Sequence, residues 1–370
     1  MAGKRKDKDN SSSDDSSSED DIKKKKLKTN TPLIKVSVTS NDNKNKQLTD
    51  ILTELSVFEK NKGQVHRFTA YRKAVLSIKA YPHEIKSGLE AQKLDGVGAK
   101  IAKKIDEILK TGDLKKLKSQ NQDETLTAIN QLSRVTGIGP QKAKSLVEEG
   151  IKTIDDLKKI KNTLTHHQQI GLKYFSEFEQ RVPRKEIEVF EKLVSNSLFS
   201  IDPNIISQVC GSYRRGLESS GDIDILISHP NFTLEMKDKK KTFNIIEKLV
   251  ESLKKKHILI DDLSLGPLKY MGVCKLVSTE ISEQHIARRI DFKLIPYESY
   301  YFGLLHNTGS DEFNRQMRGI ALKQGFTLSE YSINKLSKGV KNETPILVNS
   351  EKEIFDIIGM EYYPPNKRNL

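Results

Sequence analysis

Two carboxylates, Asp222 and Asp224, flank a single isoleucine at the start of an apolar run, Ile223 to Ile227. Side chains two apart on a strand share a face. The spacing therefore sets both carboxylates side by side, where they repel unless a cation lies between them. Just upstream, Cys210-Gly211-Ser212-Tyr213-Arg214-Arg215-Gly216 offers glycine amides, a hydroxyl and two guanidinium groups, which are suited to holding phosphate. The stretch from Cys210 to Asp224 reads as a metal-and-triphosphate site. A third carboxylate lies in Arg288-Arg289-Ile290-Asp291-Phe292-Lys293-Leu294-Ile295. This run alternates, with Ile290, Phe292 and Leu294 on one face and Arg289, Asp291 and Lys293 on the other. Alone, Asp291 would read as the partner of an ion pair with Arg289. Beside Asp222 and Asp224 it completes what a site for two divalent ions needs. One ion would lower the pKa of an attacking hydroxyl and the other would neutralise a triphosphate and its leaving group. Oxygen-only ligands select Mg²⁺, with Mn²⁺ as the alternative.

The elements around these residues fall into an α-helical half and a mixed half. From Leu48, the positions Leu48, Ile51, Leu52, Leu55 and Phe58 follow a helical period, and a second helix is expected over 68–80, ended by Pro82. Residues 147–184 read as helical up to Pro183. A helix over 186–198 then leads into strand-like runs at 205–210, 222–228, 258–261, 270–276 and 289–295, with a long lysine-rich helix expected over about 234–256. The expected fold class is α+β multidomain. All-α segments come first, then a domain built on an antiparallel-rich sheet, then a small α+β subdomain.

The chain has 370 residues and a formal charge of +13. Residues 1–46 hold twelve Lys/Arg against eight Asp/Glu, so +9 of that charge lies on the remainder. An excess carried by the folded body favours a polyanionic partner such as nucleic acid. Residues 1–46 are rich in Ser, Asp and Lys and too polar to offset the entropy of ordering, so they are expected to be a disordered tail. Its clusters Lys4-Arg5-Lys6 and Lys23 to Lys26 suit nuclear import or polyanion binding, which gives the nucleus as the expected location. No signal-peptide core is present, and the acidic residues argue against a mitochondrial leader. Two distant cysteines, Cys210 and Cys274, make no disulfide framework. No apolar run is long enough for a membrane helix, so no membrane partner is expected.

Two stretches repeat one idea. Leu94-Asp95-Gly96-Val97-Gly98-Ala99-Lys100-Ile101-Ala102-Lys103-Lys104 and Val135-Thr136-Gly137-Ile138-Gly139-Pro140-Gln141-Lys142 both put Gly-apolar-Gly between helical patterns. Glycine permits the tight turn and lets backbone N–H groups approach a phosphate closely. This is the helix-hairpin-helix pattern, which grips DNA backbone without reading sequence.

With these motifs the chain resembles the family X DNA polymerases, nearest their polymerase beta branch, from about residue 48 to the C-terminus. The resemblance rests on Gly211-Ser212 with Gly221-Asp222-Ile223-Asp224, on Arg288 to Asp291, on Thr308-Gly309-Ser310-Asp311 with Asn314 and Arg318, and on both hairpins. It implies DNA-directed gap filling in base excision repair, on gapped double-stranded DNA with dNTPs, by a monomer working with other repair proteins. The implied divisions are a tail (1–46), a 5′-deoxyribose-phosphate lyase domain (47–122), a second hairpin subdomain (123–184), a catalytic palm (185–295) and a nucleotide-selection subdomain (296–370). Asp222, Asp224 and Asp291 would hold the metal ions, and Asp291 would help deprotonate the primer 3′-hydroxyl. Arg181, Ser212, Arg215, Ser220 and Gly221 would contact the triphosphate, and Asp311 and Asn314 the base. Arg318 would test the templating pair, with Arg289, Gly96, Gly98, Gly137 and Gly139 also on DNA. Lys104 would be the Schiff-base lysine, and His66, Tyr71, Lys73, Lys100 and Lys116 its phosphate pocket. Na⁺ or K⁺ would sit on backbone at Gln92, Leu94, Val97, Ser133, Val135 and Ile138.

Two positions depart from the family pattern. His306-Asn307 stands where a Tyr-Phe pair is usual, near the incoming sugar, so altered sugar discrimination is expected. Arg67 replaces a lysine common in the lyase pocket and keeps its charge. The competing readings are a template-independent nucleotidyltransferase, against which Arg318 and Asn314 speak, and a non-catalytic DNA-binding scaffold, against which the three aspartates speak.

Overall fold

The computed structural model describes residues 43–117, 124–236, 243–277, 285–337, 339–342 and 344–370. Most of the expected tail, 1–42, lies outside the described residues, but its last four belong to the folded body. Asn45 is buried, its amide donating to the His83 carbonyl at 2.8 Å and its oxygen accepting from Ile85 N at 2.8 Å. One side chain there satisfies two backbone groups of the loop before Gly88, an ordering that polar composition does not reveal.

Helix α1 (Lys46–Asn61) pairs with α2 (Val65–Ala80), followed by α3 (Gly88–Ala91) and α4 (Ala99–Thr111). Leu52, Leu55, Ala74, Ile78, Ile105 and Ile108 close a core of their own. A second core gathers α5 (Glu124–Leu132), α6 (Pro140–Glu148), α7 (Ile154–Lys159), α8 (His166–Lys173) and α9 (Phe175–Phe178) around Ile129, Leu146 and Leu157. The helical run expected over 147–184 is therefore broken into short helices. Gly150 takes a left-handed φ of 91°, and Thr153 and Thr165 each open a new helix with a capping box. A capping box satisfies orphan N–H groups reciprocally, so it stabilises a start where a continuous helix would have none.

The mixed half begins at β1 (Val182–Pro183) and α10 (Arg184–Ile201). Then come β2 (Ile206–Val209), α11 (Gly211–Arg214), β3 (Ser219–Ser220), β4 (Ile223–Ser228), α12 (Ile245–Lys255), β5 (Leu259–Leu265), β6 (Lys269–Cys274) and β7 (Arg288–Leu294). The lysine-rich helix starts at Ile245 rather than near 234, because the apolar period Ile246, Leu249, Val250, Leu253 begins only there and 234–236 form a turn. Part of its expected span, 237–242, lies outside the described residues. The five-stranded sheet has the order β2-β4-β7-β6-β5, with β4 and β7 parallel and the other pairs antiparallel. Ile223, Ile225, Ile290, Phe292 and Leu294 pack against Phe190, Val194, Leu249 and Leu253 of α10 and α12. That burial commits the alternate side chains, Asp224 and Asp291, to the uncovered face.

The helical half is tied to the sheet edge. Lys173 and Tyr174 both donate to Asp261 Oδ2 on β5 at 2.6 Å, and Ile170 and Tyr174 pack with Leu263 and Val273. The C-terminal part has α13 (Tyr300–Thr308), α14 (Asp311–Lys323), a three-stranded sheet of β8 (Phe326–Leu328), β9 (Ile333–Ser337) and β10 (Val340–Lys341), and α15 (Glu351–Ile357). Glu351, buried, accepts from Arg214 at 2.7 and 3.1 Å and from the fully buried Arg368 at 2.7 Å. Removing the shared carboxylate would strand two guanidinium groups. Glu351→Ala is expected to cost about 3–5 kcal/mol and to lower the urea midpoint, whereas Lys352→Ala on the exposed side of the same helix should leave it within about 0.5 kcal/mol.

Candidate active site

The parallel register of β4 and β7 sets Asp224 directly beside Asp291. Asp222 lies one residue before β4, at its mouth, rather than within the strand as expected. Arg289 reaches across to bond Asp222, and its guanidinium stands 3.6 Å from Asp291. Burial, then Asp222 and Asp291, push Asp224 up to about 7, with Arg289 and Lys269 opposing. Burial also raises Asp291, opposed by Arg289. Three carboxylates are thus held partly out of water, and one guanidinium supplies too little charge to keep all of them ionised.

Gly211 carries the phosphate-suited turn past these carboxylates. Its φ is +57°, and a Cβ there would meet Asp224 Oδ2 at 2.8 Å, so both conformation and space require glycine. Ser212 donates to the buried Ser220 at 2.8 Å. Arg215 donates to the Thr308 carbonyl at 2.7 Å and to Asn369 Oδ1 at 2.8 Å, and burial lowers its pKa against the pull of Asp311 and Asp224. A cleft of about 420 Å³ collects Ser212, Arg215, Asp222, Asp224, Asp311 and both residues of His306-Asn307. Arg72, from α2, and Leu370 also line it, and Arg72 forms an ion pair with Glu312 at 3.5 Å. Nothing in the sequence signals these two, because each arrives from a distant element.

Other expected residues lie on the rim. Arg181 bonds Ser219 through Nε at 2.7 Å, on the small β1–β3 ribbon. Gly221 is exposed, with open space where a Cβ would be. Asn314 donates to the His306 carbonyl at 2.7 Å, and Arg318 meets His306 Nδ1 at 2.9 Å. Lys293 pairs with Glu330, which lies 3.5 Å from His306 Nε2. Asn307 donates back to Gly303 O at 2.7 Å.

The donor set suits a hard divalent cation. All three candidate ligands are carboxylates, and Asp291 Oδ1 is buried without a hydrogen-bond partner. Among the described residues no group of three or more acidic, His or Cys side chains closes into a ready-made cage. Arg289 instead draws Asp222 to itself, so collecting the ligands requires that contact to loosen.

Both hairpin turns have the geometry that their glycines suggest. Gly96 and Gly137 take φ of 82° and 87°, and Gly98 and Gly139 are the N-caps of α4 and α6 with open space around them. The carbonyls of Leu94 and Val135 already accept turn hydrogen bonds from Val97 and Ile138, and Gln92 and Ser133 lie two residues earlier. On α4, Lys104 has its pKa lowered by burial first and Lys116 second. Tyr71 is buried nearby, its pKa raised by burial and by Glu59. His66 and Lys100 are exposed, and Lys73 is paired at 2.8 Å with Asp95 of the first hairpin turn.

Four family models match consecutive parts of the chain. They are a helix-hairpin-helix domain over 43–114, the fingers domain of DNA polymerase lambda over 130–179, the DNA polymerase beta palm over 181–297 and the DNA polymerase beta thumb over 303–369. DNA polymerase lambda of Arabidopsis thaliana is 32% identical over 342 residues, 88% of this chain and 62% of its own length. DNA polymerase lambda of Rattus norvegicus is 32% identical over 338 residues, 88% of this chain and 56% of its own. A DNA nucleotidylexotransferase of Xenopus laevis is 28% identical over 349 residues, 86% of this chain and 67% of its own. The chain thus spans under two thirds of either polymerase lambda.

The raised Asp224 has a consequence for stability. Its folded pKa lies above the usual carboxylate value, so its stabilising contribution is present at acid pH and is lost as pH rises through about 7. Without divalent metal, the contribution of Asp224 to the melting temperature should fall between about pH 4 and pH 7, and Asp224→Asn should flatten that fall and stabilise the protein at pH 8 by roughly 1–3 kcal/mol. Mg²⁺ should restore the wild type at pH 8 and not the variant, as followed by scanning calorimetry.

Proposed function

The chain belongs to family X of the DNA polymerases, and from that premise we propose that it fills short gaps in DNA by templated nucleotidyl transfer from dNTPs to a primer 3′-hydroxyl. The observation that carries this reading is the Asp224–Asp291 register facing Ser212 and Arg215 across one cleft. Asp222, Asp224 and Asp291 would hold two Mg²⁺ ions, with Mn²⁺ as an alternative. Bound there, divalent ions supply charge neutralisation for the triphosphate and a lowered pKa for the attacking hydroxyl.

The residues would divide the remaining work. Ser212, Arg215 and the amides after Gly211 bind the triphosphate, and Arg181, Ser220 and Gly221 extend that contact. Asp291, with its pKa raised, is suited to accept the hydroxyl proton. Asp311 and Asn314 border the base, Arg318 tests the template, and Arg289 turns from Asp222 toward DNA. The hairpins at Gly96–Gly98 and Gly137–Gly139 grip backbone phosphates on either side, and their carbonyls offer seats for Na⁺ or K⁺. The excess of +9 on the body supports a polyanionic partner.

A second activity has its own support. Lys104 is an amine whose pKa is lowered by burial and then by Lys116, the state in which it can attack a sugar aldehyde. We assign it 5′-deoxyribose-phosphate lyase chemistry, which with gap filling places the chain in base excision repair in the nucleus, acting as a monomer beside other repair proteins. The basic clusters that would direct import lie outside the described residues.

One substrate tests both activities, a one-nucleotide gap ending in a 5′-deoxyribose phosphate. The wild type should extend the primer and be trapped by borohydride. Asp291→Asn should lose extension by about 10³-fold and keep trapping, and Lys104→Ala should do the reverse. Equal extension on single-stranded primers would favour template-independent transfer instead. Sugar choice is a separate expectation, since His306 and Asn307 present polar groups at the cleft. His306→Tyr with Asn307→Phe should sharpen preference for dNTP over rNTP by about tenfold in kcat/KM, and an unchanged ratio would remove the idea.

A further inference from the structure

Behind Lys104 stands a carboxylate with no part in the chemistry assigned so far. Glu59, near the end of α1, is fully buried. A buried carboxylate needs partners, and Glu59 has two from different segments. Its Oε1 accepts from Lys116 Nζ. Its Oε2 faces Arg67 NH1 of α2 at 3.5 Å and makes no hydrogen bond among the described residues. The carboxylate is 1% exposed, while Lys116 is 33% and Arg67 62% exposed. One anion beneath the surface thus holds two cations at the surface, and both of them act electrostatically on the Lys104 amine.

We propose that Glu59 is the positioning residue of a 5′-phosphate subsite, holding Lys116 and Arg67 together as a two-cation clamp beside Lys104. The inference rests on the lyase reading above and adds a residue to it. Without an anion between them, Lys116, Arg67 and Lys104 would repel one another and spread. With it, both cations stay tethered beside the Lys104 amine, a concentration of positive charge suited to a phosphate monoester dianion. Glu59 also acts on the nucleophile. Burial, Lys116 and Arg67 lower the Lys104 pKa, while Glu107 and Glu59 raise it. Neutralising Glu59 should therefore shift the amine's titration toward lower pH while loosening the clamp.

The experiment uses the full chain and one-nucleotide-gapped DNA whose downstream 5′ end is either phosphate or hydroxyl. The readout is the ratio of the two Kd values. Glu59→Gln should cut the preference for phosphate by about five- to tenfold with the hydroxyl Kd little changed. Arg67→Met, at an exposed position, should cut it similarly and serves if Glu59→Gln does not fold. Adding Glu59→Gln to a Lys116→Met, Arg67→Met double variant should cost nothing further, because Glu59 acts through those two cations. On the gap ending in a 5′-deoxyribose phosphate, borohydride trapping of Glu59→Gln should persist to lower pH than in the wild type. An undiminished phosphate preference in a folded Glu59→Gln or in Arg67→Met, a further loss when Glu59→Gln is added to the variant lacking both cations, or a trapping midpoint moved upward would overturn the proposal. Absence of trapping in the wild type would overturn the lyase reading alone, and the phosphate preference would still decide the role of Glu59.

Discussion

Like charge held out of water is the constraint on which this molecule is organised. Asp224 and Asp291 are neighbours because β4 and β7 run parallel in register, and that register is fixed by the apolar residues between them, which must face α10 and α12. The sheet cannot slip by one residue without turning the carboxylates into the core and the isoleucines into the cleft. The cost of bringing acids together is therefore carried by the hydrophobic packing on the other side of the same strands. Arg289 relieves part of it, and what remains appears as a raised Asp224. Such a set of oxygen donors suits a small divalent cation, whose two positive charges would offset more repulsion than one guanidinium does.

The Gly211 side of the cleft is held by the far end of the chain. Asn369 fixes Arg215, and Arg368 shares Glu351 with Arg214, so the turn after Gly211 is braced by the last residues of the sequence. The second hairpin is braced in turn by Lys173 and Tyr174 on the sheet edge at Asp261. Both links use polar contacts between separate hydrophobic cores, and the second adds the packing of Ile170 and Tyr174 on Leu263 and Val273. They set orientation, whereas each core supplies its own stability.

Much of this was legible because strand alternation is a local signal. The period of 288–294 is repeated in the burial of the strand, with Arg288 the one departure, as it is drawn into the interior by Glu186. The glycine pairs of the hairpins were equally readable, since a left-handed φ leaves few alternatives to glycine. Residues whose significance depends on a distant partner were not legible. Arg72 and Leu370 reach the cleft from opposite ends of the sequence, and Glu59 looks like one more acid on a helix of mixed charge until its burial is seen. Helix breaks at Gly150, Thr153 and Thr165 were missed because the apolar period runs through them, and capping chemistry decided the outcome.

If crowded carboxylates create the demand for a divalent cation, metal binding must follow the carboxylates and not the DNA. Electron paramagnetic resonance of Mn²⁺ with the full chain and a non-hydrolysable dNTP, without DNA, measures that directly. Tight Mn²⁺ binding that weakens by about tenfold or more in each of Asp222→Asn and Asp224→Asn is the predicted result. Binding undiminished in both variants would contradict the account.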